Sequence, residues 1–531
     1  EIPKRDWSSD VCSSDLVKPN DALDADALER STSVYFPRRV IPMLPEKLSN
    51  GLCSLNPEVD RLTLVCDAVI TVNGEIYAYQ FYPAVIHSAA RLTYTEVAAV
   101  LGNTRGPEAA RRASLLPHLQ HLYELFQVLV HARHTRGAID FETTETYIVC
   151  NAAGKIEQIL PRTRNDAHRL IEECMLAANV CAADFLQHNE HPALFRIHAG
   201  PTEEKLNQLR TFLKQLGLSL GGGDRPSASD YAALLEKIKV RPDALMLQTM
   251  LLRSMQQAVY SPDNIGHFGL SYDAYAHFTS PIRRYPDLLT HRAIKAILQG
   301  KRYHPKGIAT EDLNTQLSPA ARKMQARDRA AGKRRAEGDI AIWEALGIHC
   351  SANERRADEA SRHVEAWLKC YFVRDKLGEE FTGTISGVAS FGIFVQLDAL
   401  FIEGMVHVTD LGADYFQYDE ARHELRGERT GIRYQLTDRV TVQVSRVDLD
   451  ARRIDLRLVH EPGIRTQLKN EARRADEVHR RTGHLGAKKA AKKAAKKAAT
   501  KKPATAKART AALTAARKSD AGPKNGRKKR K

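Results

Sequence analysis

Between Gly378 and Leu458 the chain becomes a series of short apolar/polar alternations broken by glycine turns, and no other feature restricts the fold as much. Phe381 to Val388, Gly392 to Leu397, Met405 to Val408, Arg439 to Val447 and Arg453 to Leu458 give five such runs. A period of two turns every second side chain inward. Five short strands in roughly eighty residues fit a small closed barrel of the OB kind better than a sandwich.

Upstream the texture differs. From Val17 to about Asp375, strand-like and helix-like stretches alternate, which points to an α+β body with a mixed sheet and helices. Arg61 to Ile70 and Ile76 to Ile86 read as strands, and Asn73-Gly74 between them is a hairpin signal. Asp166 to Gln187 reads as a helix with Leu170, Ile171, Cys174, Met175, Ala178, Cys181 and Phe185 on one face. Gly221-Gly222-Gly223 marks a loop, and Glu236 to Tyr260 reads as further helix interrupted near Pro242. Residues 1–16 repeat Ser-Ser-Asp and follow neither period, so they are expected to be a non-native or disordered leader.

The net charge of +16 is concentrated at one end. Ala487 to Lys531 holds 18 basic side chains and one acid, so the remainder is close to neutral. A uniformly basic, histone-like protein is thereby excluded. Residues 461–531 are expected to be a linker and a disordered Lys/Ala-rich tail. There Lys488, Lys489 and the lysine pairs after them can neutralise phosphates without reading sequence. A purely solubilising tail fits the composition equally well. The eight cysteines form no C-x-x-C pair and no zinc spacing, which suits a reducing cytoplasm. No apolar run is long enough for a membrane helix.

The segment from Gly266 to Arg292, GHFGLSYDAYAHFTSPIRRYPDLLTHR, concentrates the candidate chemistry. Thr279-Ser280-Pro281 is a turn, and Pro286 suits the first position of a helix. Arg283 and Arg284 therefore precede a helix N-terminus, where backbone N–H groups already favour an anion and a guanidinium adds a bidentate phosphate grip. Pairing of both arginines with carboxylates is the competing reading. Asp287 and His291 fit a structural hydrogen bond, and Asn179 fits a satisfied core amide.

This segment resembles the signature of the ribonuclease II family. Agreement extends to Thr32–Pro57 (TSVYFPRRVIPMLPEKLSNGLCSLNP), Ser88–Tyr94, Arg164–Ala183, Ala193–His198 and Glu354–Ala360. The resemblance implies an RNB-type catalytic domain over residues 17–375 and hydrolytic decay of single-stranded RNA from its 3′ end to nucleoside 5′-monophosphates. It implies that Arg283 binds the scissile phosphate and that Glu172 contacts the nearby ribose. It implies that Tyr35 and Phe141 clamp the terminal base and that Tyr94 contacts a base in the channel, with Arg284 beside them. Magnesium is the family's cofactor, held by an aspartate cluster in a D-x-D-D type motif that this sequence does not contain. An N-terminally truncated domain is therefore expected, with an inactive RNA-binding protein as the alternative to an exoribonuclease. The barrel, assigned to residues 376–460, resembles the RNA-binding domain of ribosomal protein S-one, which implies that Phe391, Phe394 and His407 present rings to RNA. A monomer without membrane association is expected, with a ribosome or RNA helicase as the tail's candidate partner.

Overall fold

In a computed structural model the protein is described at residues 5–9, 13–141, 145–162, 164–241, 243–305, 339–420 and 422–459. Pro242, Lys488, Lys489 and the rest of the basic tail lie outside the described residues. In chain order the body contains strand β1 (Arg5–Ser9), helices α1 (Ser13–Leu16) and α2 (Ala22–Arg30), and strands β2 (Val34–Phe36), β3 (Arg39–Ile41), β4 (Asp60–Ile70) and β5 (Ile76–His87). Helices α3 (Tyr94–Gly102), α4 (Pro107–Arg111) and α5 (Leu116–Arg136) follow, then strands β6 (Thr146–Cys150) and β7 (Ile156–Pro161) and helix α6 (Asp166–His188). Strand β8 (Phe195–Ile197), helices α7 (Glu203–Gln215), α8 (Ala228–Ile238) and α9 (Ala244–Ser254), strand β9 (Val259–Ser261) and helix α10 (Tyr285–Leu298) complete it.

β4 is the central strand, antiparallel to β5 on one side and to β1 on the other. Its run Thr63–Ala68 is buried because α6 and the 276–278 segment cover it, and Leu64, Cys66, Phe81, Cys181, Phe278 and Ile294 share one core. The hairpin turn holds Gly74 at φ +79, and a Cβ there would meet the Ala132 Cβ of α5 at 2.5 Å, so both conformation and contact require glycine. Part of the leader has a place in this structure: β1 pairs with β4, and Asp15 meets Lys295 at 2.7 Å.

α6 begins as its sequence suggests, with Asn165 and His168 forming a capping box. Its buried arc is wider than the single stripe expected. Glu173, Ala177, Asn179, Ala182, Ala183 and Leu186 are buried with Leu170, Cys174 and Cys181, whereas Ile171 is exposed and Met175 and Phe185 are half-buried. The physical reason is that α6 is packed from two sides, by α5 and by the sheet. The helix expected over Glu236–Tyr260 also divides: Val259–Ser261 leaves it to pair with β8, because Tyr260 is drawn into the core against Trp343 and Leu346.

Helix α11 (Asp339–Arg374), 36 residues long, runs from this core into the barrel, where Cys370 and Val373 are buried. The barrel strands are β10 (Glu380–Ala389), β11 (Gly392–Leu397), β12 (Ile402–His407), β16 (Arg439–Asp448) and β17 (Arg453–Leu458), closed in the order β10-β11-β12-β17-β16. β12 begins three residues before the run read from the sequence, since Ile402 is itself buried. Ile385, Ile393, Val395, Val406, Val442, Val444, Ile454 and Leu456 fill the interior, as alternation requires. An inserted sheet of β13 (Phe416–Asp419), β14 (Glu424–Gly427) and β15 (Arg433–Gln435) was not expected. A small separate unit includes Ala413–Tyr415 and Glu428–Gly431. In it the Asp414 carboxylate, though burial raises its pKa, is held at about 2 by hydrogen bonds from Thr430, Arg429 and Tyr415. No described helix is long and apolar enough to cross a membrane. No disulfide joins the seven described cysteines, and six of them are buried.

Candidate nucleic-acid interface

α10 is buried along its first ten residues, Tyr285 to Ile294, including Asp287, His291 and Arg292. Such a helix is stable only if most of its polar groups are satisfied. Asp287 accepts the backbone N–H of Ser280 at 2.7 Å and two guanidinium bonds from Arg284, each 2.8 Å. The His291 ring bonds the Phe278 carbonyl through Nε2 at 2.9 Å. Arg292 donates to Asp24 and to the Val17 carbonyl, both at 2.8 Å. Asn179, from α6, accepts the N–H groups of Phe278 and Thr279 at 2.8 and 3.2 Å and donates to the Tyr275 hydroxyl. This core amide fixes the turn from which the two arginines emerge.

The paired arginines thus have different surroundings. Arg284 is the helix N-cap, mostly covered and bound bidentately to the fully buried Asp287, so its charge is taken up within the protein rather than offered to a ligand. Arg283 has no side-chain hydrogen bond or ion pair among the described residues. It lines an open cleft of about 340 Å³ together with Ser33, Tyr35, Asn50, Ser54 and Ile282. Tyr35, half exposed at 51%, reaches the same cleft because the segment just before β2 is stitched to the motif. Ser33 N–H donates to the Arg283 carbonyl at 3.0 Å, and Tyr285 N–H donates to the Ser31 carbonyl at 2.8 Å.

A second, larger cleft of about 910 Å³ collects Tyr94, Phe141 and Glu172 with Arg164, His168 and Lys239. Tyr94 stacks on His168, ring centroids 4.0 Å apart and 20° from parallel. Burial, and then the charge of Arg162, holds the His168 pKa below its ordinary value. Glu172 pairs with Arg164, whereas its neighbour Glu173 is buried against Arg133 at 2.8 Å. The structure therefore brings Tyr35 together with Arg283, and Tyr94 together with Phe141 and Glu172. The two sets line different clefts.

On the barrel, Phe391, Phe394 and His407 line a third cleft of about 540 Å³, joined by Arg452 and Arg453. Neither phenylalanine is in the barrel core. Phe391 sits in the β10–β11 turn and Phe394 on the outward phase of β11, between inward Ile393 and Val395. The rings meet edge to face at 6.0 Å. A Cβ on Gly387 would lie 3.1 Å from the Phe394 ring, so glycine leaves the space into which that ring lies. Arg452 and Arg453 were missed by the sequence reading. Their signal is a basic pair where the β16–β17 turn enters β17.

Magnesium, the cofactor the resemblance implies, does not fit the side chains described. Among the described residues no three Asp, Glu, His or Cys side chains converge as ion ligands. Asp24 is taken up by Arg292 and by the Tyr285 hydroxyl, the latter at 2.9 Å.

A mixed α/β body followed by a closed five-stranded barrel with an aromatic face defines an RNB domain joined to an S1-type domain. The RNB domain family matches residues 9–300, and the S1 RNA binding domain matches residues 374–458. The chain belongs to the RNB domain family, in its ribonuclease R-like group. Ribonuclease R of Escherichia coli strain K12 is 50% identical over 455 residues, covering 85% of this chain and 53% of that protein. Ribonuclease R of Vibrio cholerae is 47% identical over 491 residues, covering 91% and 56% respectively. The chain thus spans about half the length of these relatives. Among solved structures, Mycoplasma genitalium ribonuclease R in complex with ribose-methylated single-stranded RNA aligns with a TM-score of 0.71 at 28% identity, over 85% of this chain and 66% of that one.

Proposed function

We propose that this protein acts on single-stranded RNA as a hydrolytic exoribonuclease, moving from the 3′ end and releasing nucleoside 5′-monophosphates. The observation that carries the reading is Arg283. It is a cation with no ion pair among the described residues, held in a cleft beside a half-exposed tyrosine by a turn that Asn179 fixes. A guanidinium there grips a phosphate, and the Tyr35 face accepts any base. Tyr94, Phe141 and Glu172 extend the grip to further nucleotides, Glu172 toward a ribose hydroxyl. Phe391, Phe394 and His407 hold the strand on the barrel. The Lys-rich segment containing Lys488 and Lys489 adds contacts to phosphate without sequence preference, and a ribosome or RNA helicase is its candidate partner.

A second reading, RNA binding without hydrolysis, is favoured by one specific observation: the described carboxylates do not converge on an ion, and Asp24 is already paired. Incubation with magnesium and a 5′-labelled RNA carrying a single-stranded 3′ tail separates the two. A ladder of stepwise shortening supports the exoribonuclease. A retained, uncut complex supports the binding protein. Failure to bind RNA at all overturns both.

A further inference from the structure

α11 presents a line of basic and aromatic side chains that the clefts described above do not use. At about 100° per residue, Arg356, His363, Trp367, Tyr371 and Arg374 fall within roughly 40° of one line along the helix, and no carboxylate shares that strip. Trp367 is 42% exposed, and Arg356, His363 and Arg374 are exposed too. Trp367 and Tyr371 stack at 5.5 Å and 18°, and the Arg374 guanidinium lies 4.7 Å over the Tyr371 ring. Arg374 also approaches Asp375 at 3.7 Å, an exposed pair too weak to withdraw its charge from the strip.

The strip lies between two regions already assigned to RNA. On one flank of α11, the Ser361 hydroxyl donates to the Tyr35 carbonyl at 3.1 Å, and Glu365 accepts from Thr146 of β6. On the other flank, Cys370 and Val373 enter the barrel core, and α11 packs on β16 and β17, the strands whose connection carries Arg452. Ser361 and Cys370 are nine residues apart, about 14 Å along the axis. Trp367 occupies the exposed arc between these contacts.

We propose that the Trp367–Tyr371–Arg374 ladder is a base-stacking site for single-stranded RNA, bridging the barrel cleft to the Tyr35–Arg283 cleft. It rests on the RNA-binding reading above. The chemistry is that of a sequence-tolerant strand binder: one open indole face, a second ring behind it, and exposed cations along the same line to hold the phosphates. Charge excludes a basic partner, and continuity with the barrel cleft commits the strip to the same strand.

The test uses the full chain with Trp7→Phe as background, without divalent metal, titrated with a long oligouridylate. Trp343 is fully buried, so ligand-sensitive emission reports Trp367. Binding should quench the emission, and Trp367→Phe should remove the quench while largely retaining affinity. Trp367→Ala should weaken binding about tenfold, the lower range for one stacked base. Should the alanine variant unfold, Arg374→Gln carries the comparison, with a severalfold loss of affinity expected. Unchanged affinity and emission, with Phe391→Ala still weakening the complex, would overturn the ladder and leave the RNA reading standing. No RNA binding by the unaltered chain would overturn both.

Discussion

The body and the barrel bring rings and cations to a surface by opposite routes. On the barrel, strand alternation and one tight turn suffice: Phe394 points outward because Ile393 and Val395 point inward, and Phe391 occupies the turn. In the body, Arg283 is presented by a buried polar scaffold in which Asn179, Asp287, Arg284 and His291 hold the turn from behind. The barrel's binding face can thus be altered with little effect on folding, whereas around Arg283 function and stability share the same hydrogen bonds.

Acid should separate the two regions most strongly. Burial, reinforced by nearby positive charge, pushes the pKa of His267 down to about 3, that of His291 to about 4, and that of His277 well below its ordinary value. Folded, these rings stay neutral, while the unfolded chain takes up protons below about pH 6.5. Stability should therefore be full above pH 6.5 and fall progressively as the pH drops toward 4. Trp343 emission followed against pH should show the body opening first, and simultaneous loss of barrel structure would break the contrast.

Next in size is the arginine pair. Arg284→Ala leaves the Asp287 carboxylate buried without its partner and should cost about 3–5 kcal/mol in urea unfolding. Arg283→Ala should change stability by no more than about 0.5 kcal/mol while lowering RNA turnover or affinity. Similar stability losses for both would show that Arg283 is structural. On the barrel, Phe391→Ala should leave the urea midpoint unchanged and weaken RNA binding by about 1–3 kcal/mol. The smallest effect is expected from Arg452→Ala, which should lower the slope of log affinity against log salt by about one.

The legibility of the sequence follows the same division. Barrel strands were readable because a period of two and glycine turns are local signals, and the platform residues Phe391, Phe394 and His407 came with them. β13–β15 escaped because FQYD, ELRG and RYQ are too short to show a period, and Glu424 is buried where alternation would expose it. In the body the β4–β5 hairpin and α6 were readable, but not the second packed side of α6. The adjacency of Tyr35 and Arg283 depends on backbone bonds between segments some 250 residues apart, as between Ser33 and Arg283, which no local pattern encodes. Which of two neighbouring arginines is free depends on Asp287, whose i,i+3 spacing to Arg284 was the available signal.

The distribution of thiols supplies the molecule with an internal clock. Cys53, Cys66, Cys174, Cys181, Cys350 and Cys370 are sealed in the interior, while Cys150, on the β6–β7 hairpin, is partly open to solvent. Among these seven, an alkylating reagent should mark Cys150 at once and the rest only as their surroundings breathe. Peptide-resolved labelling would then time the opening of body and barrel separately, since Cys66 and Cys181 tag the former and Cys370 the latter.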